Sequence, residues 1–195
     1  MSLREIRRAD ATRIGQIIGH SFADDPVNLW VFKHYPPIEF YYQQMAKKLY
    51  LTRGFGHITE EGTAASLWLP PNTSKHIPAW RSMDIAISML FHGGVSSLRN
   101  GMALDECLHA HIPQVPHFYL SAIGTLPECQ GKGVGGDIIR AGLERVDSAR
   151  MPAYLESSKE QNLPFYQRFG FQVSNVVQAT PEAPGLWLMW REPKQ

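Results

Sequence analysis

Four glycines lie between residues 131 and 136, in the stretch QGKGVGG, and an amphipathic pattern follows them directly. Glycine has no Cβ, so successive backbone N–H groups of such a loop can turn towards a bound anion. The first turn of a helix adds unpaired N–H groups and the positive end of the helix dipole. The composition and position of this loop therefore predict a binding site for phosphate groups.

Two other interpretations of the glycines fit less well. Gly131, Gly133 and Gly136 match the dinucleotide pattern G-x-G-x-x-G, and Glu156 follows about twenty residues later, as a ribose ligand would. However, residues 127–130 separate the glycines from the preceding strand, and the chain after Glu156 is too short for further βαβ units. No Gly-Lys-Ser/Thr ends the run as in a P-loop. A plain turn would not need so many glycines, each costing about 1 kcal/mol inside a helix.

A second pair of polar residues lies further along the chain. Asn162 and Tyr166 are four residues apart in NLPFYQRFG, which predicts a short helix stopped by Gly170. At this spacing both side chains can face one ligand. The alternative is that Tyr166 packs the helix on a sheet, which is the interpretation we adopt for Phe165 and Phe169.

The elements that must position these residues mix helices and strands without strict alternation. Helices are predicted after Asp10, after the DDP turn at 24–26 and over 38–53, and irregularly over 78–116 with a break at 92–94. A hairpin is predicted over 54–71, and strands over 3–9, 117–126, 153–157 and the two C-terminal apolar runs. This order indicates a mixed α/β or α+β fold, not a doubly wound one.

Composition narrows the class of protein. The 195 residues are 44% hydrophobic, which suits a single domain over 1–195. The net charge of +1, with scattered Lys and Arg, argues against a nucleic-acid partner. We find no apolar run that predicts a signal peptide or membrane association. Two cysteines do not make a disulfide framework, so we expect a cytoplasmic protein.

The glycine loop and its neighbours resemble the GNAT superfamily of N-acetyltransferases. QGKGVG fits the Q/R-x-x-G-x-G/A loop of the family, with Gln130, Gly133 and Gly135 at its defining positions. YLSAIGTLPECQGKG resembles the family's central strand, YLESSKEQNLPFYQRFGF its next strand and helix, and FADDPVNLWVF its Asp-Pro turn. The resemblance covers most of the chain outside residues 71–116. It implies a mixed, mostly antiparallel sheet that is splayed at an acetyl-CoA site and flanked by helices.

The resemblance also implies roles for individual residues. Acetyl-CoA is the implied co-substrate, with its pyrophosphate on the glycine loop and its pantetheine along the end of the central strand. Backbone N–H groups around 121–123 would stabilise the oxyanion. Tyr166 would protonate the departing thiolate, since a phenol near pKa 10 and a thiol near pKa 8.5 differ by less than about two units. The implied cofactor-binding residues are Ile123, Gly124, Thr125, Gln130, Gly131, Lys132, Gly133, Val134, Gly135, Gly136 and Asn162. Lys132 can equally be an ordinary solvated lysine.

The general base is harder to predict. An alkylamine with a pKa of about 10.4 is neutral in only about 0.04% of molecules at pH 7, equivalent to roughly 4.6 kcal/mol. Many relatives carry a glutamate on the central strand, and this sequence has none there. Glu156, at the end of the next predicted strand, is our first candidate catalytic base. His117 and a water chain through Ser121 are the alternatives.

The sequence thus predicts transfer of an acetyl group to a primary amine of a small molecule, by direct attack in a ternary complex. The alternatives are a protein or peptide N-acetyltransferase, and an acyl-CoA sensor without turnover. No metal is expected, because Cys107, His109 and His111 lack a second ligand pair. Cys129 is interpreted as a filler residue and not as a nucleophile.

Residues 71–116 form a predicted helical insertion before the central strand. Trp80, Met83, Ile87 and Leu90 recur on one helical face, so this segment must pack on something. We expect it to cover the acceptor side of the site and to influence substrate choice. The alternatives are an extension of the core and a homodimer contact.

Overall fold

Seven strands form one sheet in the computed structural model, which describes residues 2–194. The strands are β1 Leu3–Glu5, β2 His57–Thr59, β3 Ala64–Leu69, β4 Phe118–Thr125, β5 Ala153–Ser157, β6 Gln172–Val177 and β7 Leu186–Arg191. Their spatial order is β1-β2-β3-β4-β5-β7-β6, and every neighbouring pair is antiparallel except β4–β5. The predicted fold, a mixed and mostly antiparallel sheet with flanking helices, is confirmed.

Seven α-helices of residues 2–194 flank or extend the sheet. They are α1 Ala11–Ser21, α2 Pro26–Phe32, α3 Tyr35–Met45, α4 Leu51–Arg53, α5 Ala79–His111, α6 Val134–Ser148 and α7 Leu163–Gln167. Short 3₁₀ turns occupy Arg8–Asp10, Pro127–Cys129 and Glu160–Asn162, and a π-helical turn spans Ala46–Tyr50. The predicted helix over 38–53 is therefore three consecutive pieces, of which the first begins earlier, at Tyr35.

Apolar clusters pack on both faces of the sheet, and β3 is therefore buried on both sides. Leu67 and Leu69 belong to the core that α1 covers, whereas Trp68 belongs to the core that α6 covers. Gly142 lets α6 approach closely, since a Cβ at this position would lie 2.5 Å from the buried indole of Trp68. The two helices that flank the central strands are thus held at fixed positions.

The long helix α5 lies within the predicted insertion. The face that the sequence predicts to pack is exposed, because Ile85 and Met89 are the residues that α5 buries in this stretch; the exposed residues are Trp80, Met83, Ile87 and Leu90.

The helix α5 bends at Gly94, whose φ of 66° breaks the helical path, at the place where the sequence predicts an interruption. Ser97 Oγ donates to the carbonyl of Val31 at 2.6 Å, and Asn100 Nδ2 donates to that of Trp30 at 2.9 Å. These buried polar contacts fix α5 against α2.

Two features of residues 2–194 bear on membranes and metals. No helix in this range combines the length and the apolar character needed to cross a membrane. Nor does this range bring three or more His, Cys, Asp or Glu side chains together as a metal site. Cys107 and His111 lie one helical turn apart on α5, with Sγ and Nδ1 separated by 4.0 Å.

Candidate active site

The glycine loop leads directly into α6. Gly133 is the N-cap of α6 and has a φ of 84°, and Gly131 has a φ of 74°, both in the left-handed region. A Cβ at either position would meet nothing within 4 Å, so backbone conformation and not packing requires glycine here. The Gln130 amide donates to the carbonyl of Thr125 at 3.1 Å, which ties the loop to the end of β4.

A cleft of about 900 Å³ opens above this loop. It is lined by Tyr166 and by ten of the predicted cofactor-binding residues: Ile123, Gly124, Thr125, Gln130, Gly131, Gly133, Val134, Gly135, Gly136 and Asn162. The eleventh, Lys132, is exposed outside the lining, and its Nζ donates to the carbonyl of Glu128 at 2.9 Å. The fold thus brings the glycine loop, the end of β4 and the Asn162–Tyr166 turn into one cleft.

The strands β4 and β5 separate at this cleft. Their parallel pairing covers only Phe118 to Leu120 against Ala153 to Leu155, and the rest of β4 runs on without a partner in β5. On the other side of β4, the register with β3 shifts so that Ser121 is skipped between Leu67 and Trp68. Ser121 therefore lies outside the residue pairs of both ladders, at a bulge of the kind that re-aims groups beside functional sites.

Tyr166 is partly buried on the cleft wall. Burial, with a contribution from the nearby charge of Asp25, raises the pKa of its hydroxyl above the ordinary value. The phenol therefore holds its proton more tightly than a free tyrosine would. Phe165 contacts Phe169 and Tyr166 edge to face, with ring centroids 5.3 and 5.2 Å apart, which agrees with a packing role for both phenylalanines.

Cationic side chains that the sequence did not single out border the cleft. Arg140 and Arg168 lie over the rings of Phe169 and Phe165, each with its guanidinium carbon 5.8 Å from the ring centroid. Lys159 also lines the cleft, and its Nζ donates to Asp24 at 2.5 Å. Arg140 is also paired, with Asp137 Oδ1 2.5 Å from its Nη2. Because Asp24 and Asp137 offset the charges of Lys159 and Arg140, Arg168 is the cation that adds positive charge at this border.

A second cavity of about 450 Å³ contains Glu156. The Glu156 side chain is only 6% exposed, and Tyr119 donates to its Oε2 at 2.5 Å. Its Oε1 is buried without a hydrogen-bond partner, and the nearest cation is Lys75 Nζ, 3.9 Å away. One carboxylate oxygen is thus held by a hydrogen bond, and the other is buried beside Lys75 with no hydrogen-bond donor among residues 2–194.

Two residues near Glu156 were not predicted. Tyr50, on the π-helical turn, donates to Ser121 Oγ at 2.5 Å, and burial raises the pKa of this phenol. Asp25, the N-cap of α2, is 1% exposed, accepts from the Asn28 backbone N–H at 2.8 Å and accepts a short hydrogen bond from Ser158. Asp25 is therefore a second buried carboxylate beside the site, joined to Ser158 across 133 positions of sequence.

His117 lies away from both cavities. Its ring packs on Tyr154 and Trp190, with centroids 5.4 and 5.7 Å away, and its Nδ1 lies 2.7 Å from the carbonyl of Val115. Ser121, in contrast, lines the second cavity together with Glu156. Of the three candidate bases, the fold brings Glu156 and Ser121 together and leaves His117 at the far end of β4.

Comparison with known proteins agrees with this geometry. Residues 99–173 match the family model described as an acetyltransferase (GNAT) domain, a range that contains β4, the glycine loop, β5 and α7. A histone acetyltransferase HPA2 and related acetyltransferase from Corynebacterium glutamicum is similar over 100% of this chain and 97% of its own, with 21% identity and a TM-score of 0.72.

Two insect enzymes have the same fold at lower identity. Arylalkylamine N-acetyltransferase 2 from Aedes aegypti is 14% identical with a TM-score of 0.65, and the match covers 100% of both chains. Polyamine N-acetyltransferase from Drosophila melanogaster is 14% identical with a TM-score of 0.59, covering 98% of this chain and 99% of its own. The glycine loop and the splayed strands thus lie within a segment that matches the GNAT acetyltransferase model, on a chain that has the fold of these acetyltransferases.

Proposed function

We propose that the protein transfers the acetyl group of acetyl-CoA to a primary amine of a small molecule, by direct attack in a ternary complex. One observation carries the proposal: the cleft of the glycine loop adjoins a cavity with a buried carboxylate. Phe22 lines both spaces, and β4 passes from one to the other at Ser121 and Ile123. Two substrates bound in these spaces would meet beside the bulge of β4.

Acetyl-CoA would occupy the cleft. Backbone N–H groups of residues 130–136 would bind its pyrophosphate at the start of α6. The unpaired end of β4, from Ile123 to Thr125, would accept the pantetheine amides as an added strand, and Asn162 would add a side-chain hydrogen bond. Backbone N–H groups around 121–123, near the skipped Ser121, would stabilise the oxyanion of the tetrahedral intermediate.

Proton transfer would use groups on either side of the reacting atoms. The amine nitrogen forms a bond to the thioester carbon, and the carbon–sulfur bond then breaks. Glu156 would take the proton that the amine must lose, and Tyr166 would protonate the departing thiolate. Asp25 is a second candidate acceptor, because it is buried and its charge acts on Tyr166.

The relatives support an amine acceptor without selecting one. Similar folds occur in proteins named for polyamine, agmatine, arylalkylamine and histone acetylation. A protein or peptide amine is the competing acceptor, and binding without turnover is the competing function. We place the protein in the cytoplasm, where acetyl-CoA is available and where the free thiols of Cys107 and Cys129 would persist.

Thiol release from acetyl-CoA, followed with and without a panel of amines, tests the proposal. We expect release to depend on an amine and to match the amount of N-acetylated product. A sensor would instead bind acetyl-CoA by calorimetry and release no thiol with any amine. If peptides are acetylated and small-molecule amines are not, the acceptor is a polypeptide and the proposed substrate class is wrong.

A further inference from the structure

We infer that the acceptor is a monoamine whose remaining part is uncharged and apolar. An aromatic ring fits the cavity best, and di- and polyamines are expected to be poor substrates. This inference rests on the proposed function, because it assigns the contents of the cavity that contains Glu156. It is drawn from the walls of that cavity and from the charges at its floor and mouth.

A continuous row of aromatic rings forms one wall. Phe22 packs on Tyr42 at 5.2 Å between centroids, Tyr42 on Tyr41 at 5.1 Å, and Tyr41 on Phe32 at 5.0 Å. All four residues line the cavity, and Phe22 also lines the acetyl-CoA cleft. A flat ring placed along this row would gain offset or edge contacts while its amine points towards the cleft.

The insertion contributes an aliphatic part of the cavity lining, packed against the aromatic row. Ile85 and Met89 of α5 are buried and line the cavity, as do Leu104 and Leu108 further along the helix. A charged group on the acceptor would lose its hydration here without gaining a partner, which is costly. The wall therefore favours an uncharged body over one that carries a second ammonium group.

Charges at the floor oppose a second cation as well. Glu156 already has Lys75 Nζ 3.9 Å from its Oε1, and this Nζ lies 5.5 Å from the centre of the Tyr119 ring. Lys75 thus offsets the charge of Glu156, so this pair offers little net attraction to a second ammonium group. The one other acidic side chain in the cavity lining is Asp105, which is exposed at the mouth. A second ammonium group inside the cavity would therefore lack a buried anionic partner, which disfavours di- and polyamines.

Steady-state kinetics with three amines test the inference. The probes are 2-phenylethylamine, 1,4-diaminobutane and a tetrapeptide with a free N-terminus, each at saturating acetyl-CoA. We expect kcat/KM for 2-phenylethylamine to exceed that for each of the others by at least tenfold. Equal or better use of the diamine, or of the peptide, overturns the inference and leaves acetyl transfer intact. Acetylation of no amine, despite binding of acetyl-CoA, overturns the proposed function itself.

Two variants test the charge argument in the same cavity. Ala86→Glu adds a carboxylate to the α5 wall, and Met102→Glu adds one at the mouth, where the native side chain is 73% exposed and the fold is under little threat. Each should reduce the preference for 2-phenylethylamine over the diamine by at least threefold. Met83→Glu, on the exposed face of the same helix and outside the cavity lining, is the matched control and should leave the ratio unchanged. An unchanged ratio in Met102→Glu, or an equal change in the control, contradicts the inference.

Discussion

Tyr119 on β4 holds Glu156 on β5 across the point where the two strands separate. Tyr119 is paired with Tyr154, so Glu156, two residues further along β5, lies on the same face of the sheet as both tyrosines. Burial, together with the charge of Glu156, raises the pKa of the Tyr119 phenol well above its ordinary value. The phenol therefore stays a donor to Oε2, whereas Oε1 is buried, has no hydrogen-bond donor among residues 2–194 and lies 3.9 Å from Lys75 Nζ.

Removing the charge of this carboxylate should slow transfer. We expect Glu156→Gln to lower kcat/KM for the amine by about 10² to 10⁴, the usual effect of losing a general base. The difference in kcat/KM between the parent and Glu156→Gln should shrink towards pH 9, because the neutral fraction of an alkylamine rises about tenfold per pH unit. Steady-state kinetics across this range, with acetyl-CoA affinity measured in parallel, check both expectations.

Asp25→Asn is the companion measurement for this assignment. If Asp25 is the proton acceptor, Asp25→Asn shows the large, pH-dependent loss of kcat/KM for the amine, and Glu156→Gln does not. Asp25 also caps α2 through the Asn28 N–H, so the free energy of unfolding must be compared before the rates are interpreted.

The phenol of Tyr166 should affect turnover more than binding. Tyr166→Phe keeps the ring and removes the proton, so we expect kcat to fall by about 10² to 10⁴ while acetyl-CoA affinity stays the same. Tyr35→Phe, a tyrosine that lines neither cavity, is the control and should behave as the parent. Parental turnover in Tyr166→Phe would assign the acid role to water or to another group.

The glycine loop allows a test that leaves the backbone unstrained. Gly133 has a positive φ, so a side chain there would strain the backbone as well as approach the phosphates. A Cβ at Gly135 would instead lie 3.6 Å from the Phe165 ring, in ordinary contact at the cleft. We expect Gly135→Val to weaken acetyl-CoA binding at least tenfold, about 1.4 kcal/mol, with no loss in thermal unfolding temperature. Unchanged affinity by calorimetry would rule out the loop as the pyrophosphate site.

Stability should depend on pH through Asp10. Two guanidinium nitrogens of Arg4 lie 2.7 Å from the Asp10 oxygens, and the Arg7 N–H donates at 2.6 Å, which together lower the pKa of this carboxyl. A lowered folded-state pKa gives stability that is present above the unfolded-state pKa and is lost as pH falls through the folded-state pKa. Asp10→Asn should therefore cost about 1 to 2 kcal/mol at pH 7.

Urea unfolding of the parent and Asp10→Asn from pH 7 down to acid pH checks the sign. The difference between their free energies of unfolding should narrow as the pH falls. A constant difference over the whole range would mean that the variant acts through something other than the charge.

Local patterns made the loop and the main elements predictable. The glycines at 131–136 mark the start of α6 because glycine tolerates the positive φ values that the loop adopts, and the break in α5 was visible as HGG. The strand over 117–126 was predicted within one residue at each end, because its apolar residues favour a buried strand and Pro127 ends it.

Contacts between distant segments were not predictable in this way. Asp25 is an ordinary N-cap by sequence, and only the fold brings Ser158 to it. The aromatic row joins Phe22, Phe32 and the Tyr41–Tyr42 pair across three helices, so no single helical period reveals it. Lys75 lies in an irregular segment between β3 and α5, where a lysine carries no local signal.

Single-turnover transfer of a radiolabelled acetyl group from acetyl-CoA to 2-phenylethylamine, with enzyme in excess, tests direct acetyl transfer in a ternary complex. We expect that the label passes to the amine, that no labelled protein accumulates, and that without amine the label stays on acetyl-CoA. Label trapped on the protein, for instance at Cys129 beside the loop, or an amine that remains unlabelled, would contradict direct transfer between the two cavities.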